Sequence, residues 1–135
     1  MRATATLTGM IVGSGVDLCE VARIRKALES EHGQRLKERV YTAREIAYAE
    51  RRVNRYERFA ARFAAKEAGM KALGTGWRGG VSWHDLEVVN LPSGRPTLLL
   101  HGRAAEIAGK LGVRNIALSL THTAEQAMAV VTMES

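Results

Sequence analysis

Apolar residues in the first half of the chain recur mostly at helical intervals. The exception is Met10–Leu18, a short apolar stretch interrupted by glycines, which predicts a strand. Residues 20–31 then place Val21, Ile24 and Leu28 on one face, which predicts a helix directly after that strand. The chain therefore opens with a strand that leads straight into a helix.

Two spacings typical of helix N-termini follow. In the segment Thr42–Glu45, the hydroxyl and the carboxylate are placed to form a capping box, which predicts a helix to about residue 52. Asn54–Glu57 repeats a cap-like spacing, and the helix predicted there runs to Leu73. The glycine-rich segment Gly74-Thr75-Gly76 ends it.

The second half of the chain changes to alternating, strand-like patterns. Two apolar runs flank the turn-rich segment Pro92–Pro96 and predict a hairpin, and a turn is expected at Thr121–Gln126. Further elements are predicted as a helix over 103–111 and strands over 116–120 and 127–133. Helices first and strands later predict an α+β fold: a single small domain over residues 9–135, with helices packed on a mostly antiparallel sheet, after a short N-terminal extension of residues 1–8.

Composition narrows the class of protein. The 135 residues contain one cysteine, so no internal disulfide forms, and the chain offers no Cys/His cluster for zinc. No apolar run approaches the ~18 residues of a membrane span. These features predict a cytoplasmic protein that binds no membrane. The net charge of +6 favours an acidic or phosphorylated partner, while an aromatic content of 5% disfavours a base-stacking surface.

One carboxylate stands where an apolar residue is expected. On the helix predicted after Asn54, the apolar face runs through Phe59 and Phe63 and continues at Glu67. A carboxylate on a core-facing stripe costs several kcal/mol unless it is paired or bound to a metal. An ordinary ion pair with Lys71, one turn later, is the simpler interpretation. The glycines after the helix instead suggest a loop that approaches a phosphate.

Two further groups are candidates for chemistry. Asp17 closes the first strand just before a helix, where an N-terminal cap is the ordinary role. Together with Glu67, it also supplies the one or two carboxylates that Mg²⁺ commonly takes, and Lys71 is placed to neutralise phosphate charge. His122, flanked by two threonines, is either a surface residue or a phosphate contact.

At these residues the sequence resembles the holo-acyl-carrier-protein synthases of the 4′-phosphopantetheinyl transferase superfamily. Four motifs occur in the order and spacing of that family: GSGVDL at 13–18, FAARFAAKEA at 59–68, SGRP at 93–96 and LSLTHT at 118–123. The second motif is highly specific, and the resemblance covers residues 9–133. One departure is Gly69, which lies in the predicted catalytic helix where the family usually has a larger residue.

The resemblance implies an activity and a site. The family transfers the 4′-phosphopantetheine arm of coenzyme A to a serine of an acyl carrier protein, with Mg²⁺, in fatty acid biosynthesis. It implies that Asp17 and Glu67 are the metal ligands, and that they form the catalytic set with Lys71. The proton acceptor for the serine is left open. The other implied roles are coenzyme A binding by Lys71, Gly94, Arg95, Pro96, His122, Thr123 and Arg55, and carrier-protein docking by Arg23.

The resemblance also implies a homotrimer whose active sites lie at subunit interfaces. In that arrangement, Asp17, Glu67 and Lys71 come from one subunit. The hairpin segment 94–96 and the histidine segment 122–123 come from its neighbour. A chain of this length is too short to surround a ligand as large as coenzyme A by itself.

Two other functions compete with this interpretation. The first is a basic nucleic-acid-binding module, because four arginines recur at three- and four-residue steps, a pattern that fits either one basic binding face or an ordinary solvated face: Arg51, Arg55, Arg58 and Arg62. No zinc-finger, RRM or KH signature is present, and such a module gives no reason for Glu67, so we expect no nucleic-acid partner. The second is a catalytically silent interaction domain of the same fold.

Overall fold

The computed structural model describes residues 9–135, so the predicted extension 1–8 lies outside the described residues. The first half contains β1 (Ile11–Glu20), α1 (Val21–Glu29), α2 (Gly33–Val40), α3 (Ala43–Glu50) and α4 (Arg55–Leu73). The second half contains a 3₁₀ turn (Trp83–Asp85), β2 (Leu86–Asn90), β3 (Pro96–Leu100), α5 (Gly102–Leu111), β4 (Asn115–His122) and β5 (Gln126–Glu134).

The strands form two antiparallel sheets. The larger sheet has the order β1-β5-β4, with Val16 opposite Val130 and Leu118 opposite Val131. The smaller sheet is the β2–β3 hairpin, which pairs Leu86 with Leu100. The predicted α+β class with antiparallel strands is confirmed. No helix within residues 9–135 is long and apolar enough to cross a membrane.

The long helix α4 is the centre of the core. Its alanines at 60, 64 and 68 are fully buried, and small side chains let neighbouring elements approach the helix backbone closely. Strand β1 makes the closest approach to the backbone of α4. A Cβ atom added at Gly13 would lie 2.0 Å from the Ala72 carbonyl oxygen, and one at Gly15 would lie 2.0 Å from the Ala68 oxygen. Only glycine lets β1 cross α4 at this distance.

Most of the predicted elements are confirmed, with two corrections. The Thr42–Glu45 capping box is present, with both reciprocal hydrogen bonds. The cap-like role predicted for Asn54 is wrong, because its side chain makes no capping hydrogen bond. The predicted turn at 121–126 begins later, because Thr121 and His122 pair with Met128 and Ala127 and extend β4.

Candidate active site

The close crossing of β1 over α4 brings the first predicted acid to the helix. Asp17 follows Gly15 by two residues, so it faces the same side of the strand. The Lys71 ammonium donates hydrogen bonds to Asp17 Oδ1 at 3.0 Å and to the Val16 carbonyl oxygen at 2.9 Å. Two segments more than fifty residues apart in the chain therefore meet here.

Glu67, the second acid, lies one turn before Lys71 and is half-buried. Burial raises the pKa of its carboxyl group, and the negative charge of Asp17 raises it further. A hydrogen bond from the Trp77 indole and the charges of Lys71 and Arg23 act in the opposite direction. Asp17, Lys71 and Arg23 therefore all lie close enough to Glu67 for their charges to influence its pKa.

The structure does not show the simpler roles considered for the two acids, which were a helix cap for Asp17 and an ion pair with Lys71 for Glu67. The residue that precedes α1 and occupies its cap position is Glu20, and no side-chain capping bond is made there. Asp17 lies three residues earlier, so it is not the helix cap. The ion pair of Lys71 is formed with Asp17 rather than along α4 with Glu67. The structure brings Asp17, Glu67 and Lys71 together where β1 crosses α4.

A second candidate site lies between the tip of the β2–β3 hairpin and His122. Gly94, Pro96 and His122 line a cavity of about 240 Å³ together with side chains from α3 and α4. His122 Nδ1 lies 2.8 Å from Glu57 Oε1, in the first turn of α4. The other lining residues are Tyr48, Asn54, Arg58, Ala61, Arg62, Asn90 and Leu120.

The wall of this cavity carries stacked guanidinium groups. The Arg58 and Arg62 guanidinium carbons lie 4.3 and 3.9 Å from the centre of the Tyr48 ring. Arg62 is 4% exposed, its Nε has no hydrogen-bond partner, and burial lowers the pKa of its guanidinium group. A buried cation with an unpaired donor is suited to binding an anion.

Besides Lys71, three predicted coenzyme A ligands lie outside the lining of this cavity. Arg55 packs on the Tyr56 ring, with its guanidinium carbon 4.9 Å from the ring centre. Arg95 is exposed at the hairpin tip. The Thr123 hydroxyl accepts hydrogen bonds from the backbone N–H groups of residues 125 and 126, at 3.1 Å each, and so shapes the β4–β5 turn.

The single basic face expected for the nucleic-acid alternative is not formed. Arg62 is buried, whereas Arg55 is exposed, and Arg51 lies after the end of α3 rather than on α4. Three of the four arginines instead converge on one aromatic ring, because Arg51, Arg58 and Arg62 all stack on Tyr48.

Several residues that shape the two sites gave no usable signal in the sequence. Tyr48 on α3 acquires its role through contacts with arginines of α4, and Trp77, in the loop after α4, through its effect on Glu67. The sequence also gave no indication of a fully buried ion pair between Glu45 and Lys66, whose carboxylate and ammonium groups lie 2.8 Å apart. The capping box identified Glu45 as a local cap, but periodicity did not indicate that its carboxylate also meets α4.

Glu87 on β2 forms a second polar cluster beside the Glu45–Lys66 pair. Burial raises its carboxyl pKa, but hydrogen bonds from Arg44, Thr42 and His101 outweigh burial and lower the pKa to about 2. The Arg44 Nη2 to Glu87 Oε1 distance is 2.8 Å. The hydrogen bonds from Thr42 and Arg44 to Glu87 hold β2 against the start of α3.

Comparison with known proteins agrees with this fold. Residues 13–131 match the model of the 4′-phosphopantetheinyl transferase superfamily. The chain is 64% identical to a holo-[acyl-carrier-protein] synthase from Solibacter usitatus, over 93% of this chain and 100% of the relative. It superimposes on the crystal structure of the Neisseria meningitidis synthase with a TM-score of 0.82 and 31% identity, covering 93% and 100% of the two chains.

A third comparison concerns a liganded structure. The Helicobacter pylori synthase in complex with coenzyme A has a TM-score of 0.77 and 28% identity, covering 89% of this chain and 98% of that one. The chain therefore belongs to the 4′-phosphopantetheinyl transferase superfamily, and within it to the holo-acyl-carrier-protein synthases, which makes it an enzyme of the transferase class.

Proposed function

We propose that this enzyme transfers 4′-phosphopantetheine from coenzyme A to a serine hydroxyl of an apo-acyl-carrier protein and releases adenosine 3′,5′-bisphosphate. We place this Mg²⁺-dependent step in fatty acid biosynthesis in the cytoplasm. The observation that carries the proposal is the meeting of Asp17, Glu67 and Lys71 where β1 crosses α4.

The two acids fit Mg²⁺ better than other common metals. Mg²⁺ uses one or two protein carboxylates and otherwise keeps water or binds phosphate oxygens. Zinc requires three or four protein ligands, and no such group of His, Cys, Asp and Glu side chains occurs within residues 9–135. Burial and then the charge of Asp17 raise the pKa of Glu67, and a bound dication would relieve the repulsion between the two acids. When bound there, Mg²⁺ supplies neutralisation of the pyrophosphate charge.

The residues of the chain supply the remaining chemistry. The exposed Lys71 ammonium is held beside Asp17 by two hydrogen bonds, where it faces the position proposed for the pyrophosphate and stabilises negative charge. A carboxylate of the acid pair, acting through water, is a candidate to accept the serine proton. Arg23, on the exposed face of α1 and within reach of Glu67, guides the acidic carrier protein to this position.

The cavity at the hairpin tip is the proposed site for the nucleotide end of coenzyme A. It combines the Arg58 and Arg62 guanidinium groups with His122 and the hairpin residues Gly94 and Pro96. We assign the phosphate contacts to these two arginines in preference to Arg55, because Arg55 lies on Tyr56 outside the cavity. Arg95 and Thr123 remain predicted contacts for parts of coenzyme A outside this cavity.

The two sites of one chain are poorly placed to share one coenzyme A molecule. Arg62 and Glu67 are five residues apart on α4, so they lie ~8 Å apart along the axis and ~140° apart around it. His122 contacts Glu57, which is ~15 Å from Glu67 along the same axis. In coenzyme A, the pyrophosphate is bonded directly to the adenosine. A nucleotide in this cavity therefore presents its pyrophosphate to the acids of another subunit.

The open face of the larger sheet supports the predicted homotrimer. Val16 and Leu18 are 53% and 56% exposed, and Met128 and Val130 continue the apolar surface on the neighbouring strand. His122 and Thr123 border a hollow on this face, beside Leu18 and Met128. We assign the face to a second copy of the chain, because a contact repeated head to tail closes into a ring with three equivalent shared sites.

The test of the proposed function is direct. The protein is incubated with coenzyme A, Mg²⁺ and an apo-acyl-carrier protein, and the carrier is examined by mass spectrometry for the gain of phosphopantetheine. A gain that requires all three components supports the proposal. A carrier of unchanged mass, with coenzyme A intact, rejects it in favour of a silent interaction domain. Salt-sensitive DNA or RNA binding without transfer would support the nucleic-acid alternative.

A further inference from the structure

The buried ion pair between Glu45 and Lys66 is not used by the proposed mechanism. Both side chains are fully inaccessible to solvent, although Lys66 directly precedes Glu67 in the chain. The Lys66 ammonium has three donors, and each has an acceptor: Glu45 Oε1 at 2.8 Å, the Trp83 carbonyl oxygen at 3.0 Å and the Leu86 carbonyl oxygen at 2.5 Å. The lysine therefore connects α4 to α3, to the 3₁₀ turn and to the start of β2.

The carboxylate of the pair is also fully used. One oxygen of Glu45 accepts the N–H of Thr42 at 2.8 Å, which completes the capping box of α3. The other accepts the N–H of Val88 at 2.7 Å, in the middle of β2. The same side chain thus joins the start of α3 to the hairpin.

A third contact fixes the end of β2 beside the cavity. Arg62 Nη2 donates to Asn90 Oδ1 at 3.2 Å, and Asn90 Nδ2 donates to the Gly94 carbonyl oxygen at 3.0 Å. Strand β2 is therefore held at alternate residues, 86, 88 and 90, by Lys66, Glu45 and Arg62. The last of these contacts reaches the hairpin tip that lines the proposed nucleotide cavity.

Apolar packing alone does not fix this placement. The hairpin rests on α4 through Leu86 and Leu98, whose methyl carbons lie 2.6 and 2.9 Å from the position that a Cβ atom of Gly69 would occupy. Such contacts are non-directional, and a glycine on the helix leaves a smooth surface. Buried ion pairs contribute little net stability compared with apolar residues of the same size, so directional specificity is the better reason for the pair.

We propose that Glu45 and Lys66 form a positioning pair, which fixes the register of the β2–β3 hairpin on α4 and thereby places Gly94 and Pro96 in the coenzyme A cavity. This inference rests on the proposed function. The pair acts on binding of the nucleotide end and not through the neighbouring Glu67.

The test is the double variant Lys66→Met with Glu45→Gln, which removes both charges at similar volume. Two quantities are measured below the melting temperature: the dissociation constant for adenosine 3′,5′-bisphosphate without metal, by calorimetry, and the KM and kcat of transfer over a range of Mg²⁺ concentrations. Ile107→Ala, a cavity variant on α5 away from both sites, controls for lost stability. Glu45→Gln alone, which keeps an acceptor oxygen, is the second variant if the double variant does not fold.

We expect the bisphosphate dissociation constant and the KM for coenzyme A to rise about tenfold or more, as for a modest displacement of positioning groups. The Mg²⁺ requirement should stay unchanged, and Ile107→Ala should match the wild type. Wild-type bisphosphate affinity in the folded variant would overturn the inference. A changed Mg²⁺ requirement at unchanged bisphosphate affinity would also overturn it, because the pair would then act through Glu67. Failure of the proposed function is distinct, because the wild type itself would then show no transfer.

Discussion

Lys71 Nζ lies 3.0 Å from Asp17 Oδ1, across the contact between α4 and β1. The lysine therefore pairs with an acid 54 residues away and not with Glu67, one turn earlier on its own helix. This leaves the Glu67 carboxylate without a close ion pair. Burial, followed by the charge of Asp17, raises the pKa of its carboxyl group, a perturbation typical of functional sites.

Asp17→Asn and Glu67→Gln should each remain folded and lose at least ~100-fold in transfer rate, since each removes a proposed ligand of the Mg²⁺ that would stabilise charge on the pyrophosphate. Turnover is measured at saturating Mg²⁺, and folding by circular dichroism. Glu106→Gln, an exposed acid on α5, is the control and should retain activity. Near wild-type turnover in either acid variant would remove that residue from the metal site, and unfolding of Glu67→Gln would favour a structural role.

Gly15→Ala should displace β1 from α4 and with it Asp17. The added Cβ would lie 2.0 Å from the Ala68 carbonyl oxygen, which belongs to helix backbone and has little freedom to move. We expect a loss of about 1–3 kcal/mol in the free energy of unfolding, together with a much lower transfer rate. Ser14→Ala, on the exposed side of the same strand, should change neither quantity. A fully active Gly15→Ala enzyme would contradict the close crossing.

Arg23→Glu should slow association with the carrier protein and raise its KM, with little change in the KM for coenzyme A. Rim charges act mainly by steering the encounter, and salt screens this attraction. Wild-type activity should therefore fall as ionic strength rises, and less steeply in the variant. Lys110→Glu, an equal charge reversal on α5, is the control. Carrier-protein kinetics that match the wild type would place docking elsewhere.

Mixed subunits test the shared site. Asp17→Ala and His122→Ala should each be nearly inactive alone, because every interface then lacks one half of its site. After the two variants are dissociated and reassembled together, some interfaces pair an intact Asp17 with an intact His122, and activity should partly return. Mass spectrometry verifies that subunits have exchanged. Exchanged mixtures that stay as inactive as the parents would place the whole site within one chain.

Local patterns predicted the features of this protein that depend on neighbouring residues. Three such features were predicted: the Thr42–Glu45 capping box, the helix that ends at Leu73 and the hairpin around Pro92–Pro96. Each depends on residues only a few positions apart, so the spacing of residue types in the sequence is enough to indicate it. The apolar stripe also showed that Glu67 lies where an apolar residue is expected, on the helix that carries the candidate site.

Tertiary structure decided the contacts that join distant segments. The partner of Lys71, the burial of Arg62 against Tyr48 and the enclosure of Lys66 by Glu45 depend on where β1, α3 and the hairpin cross α4. Periodicity gives the face on which a side chain lies, but not which element covers that face. The sequence by itself determined the elements and the candidate acids. The pairing of each charge was decided only when the packed elements enclosed it, because burial makes an unpaired charge costly and so selects its partner.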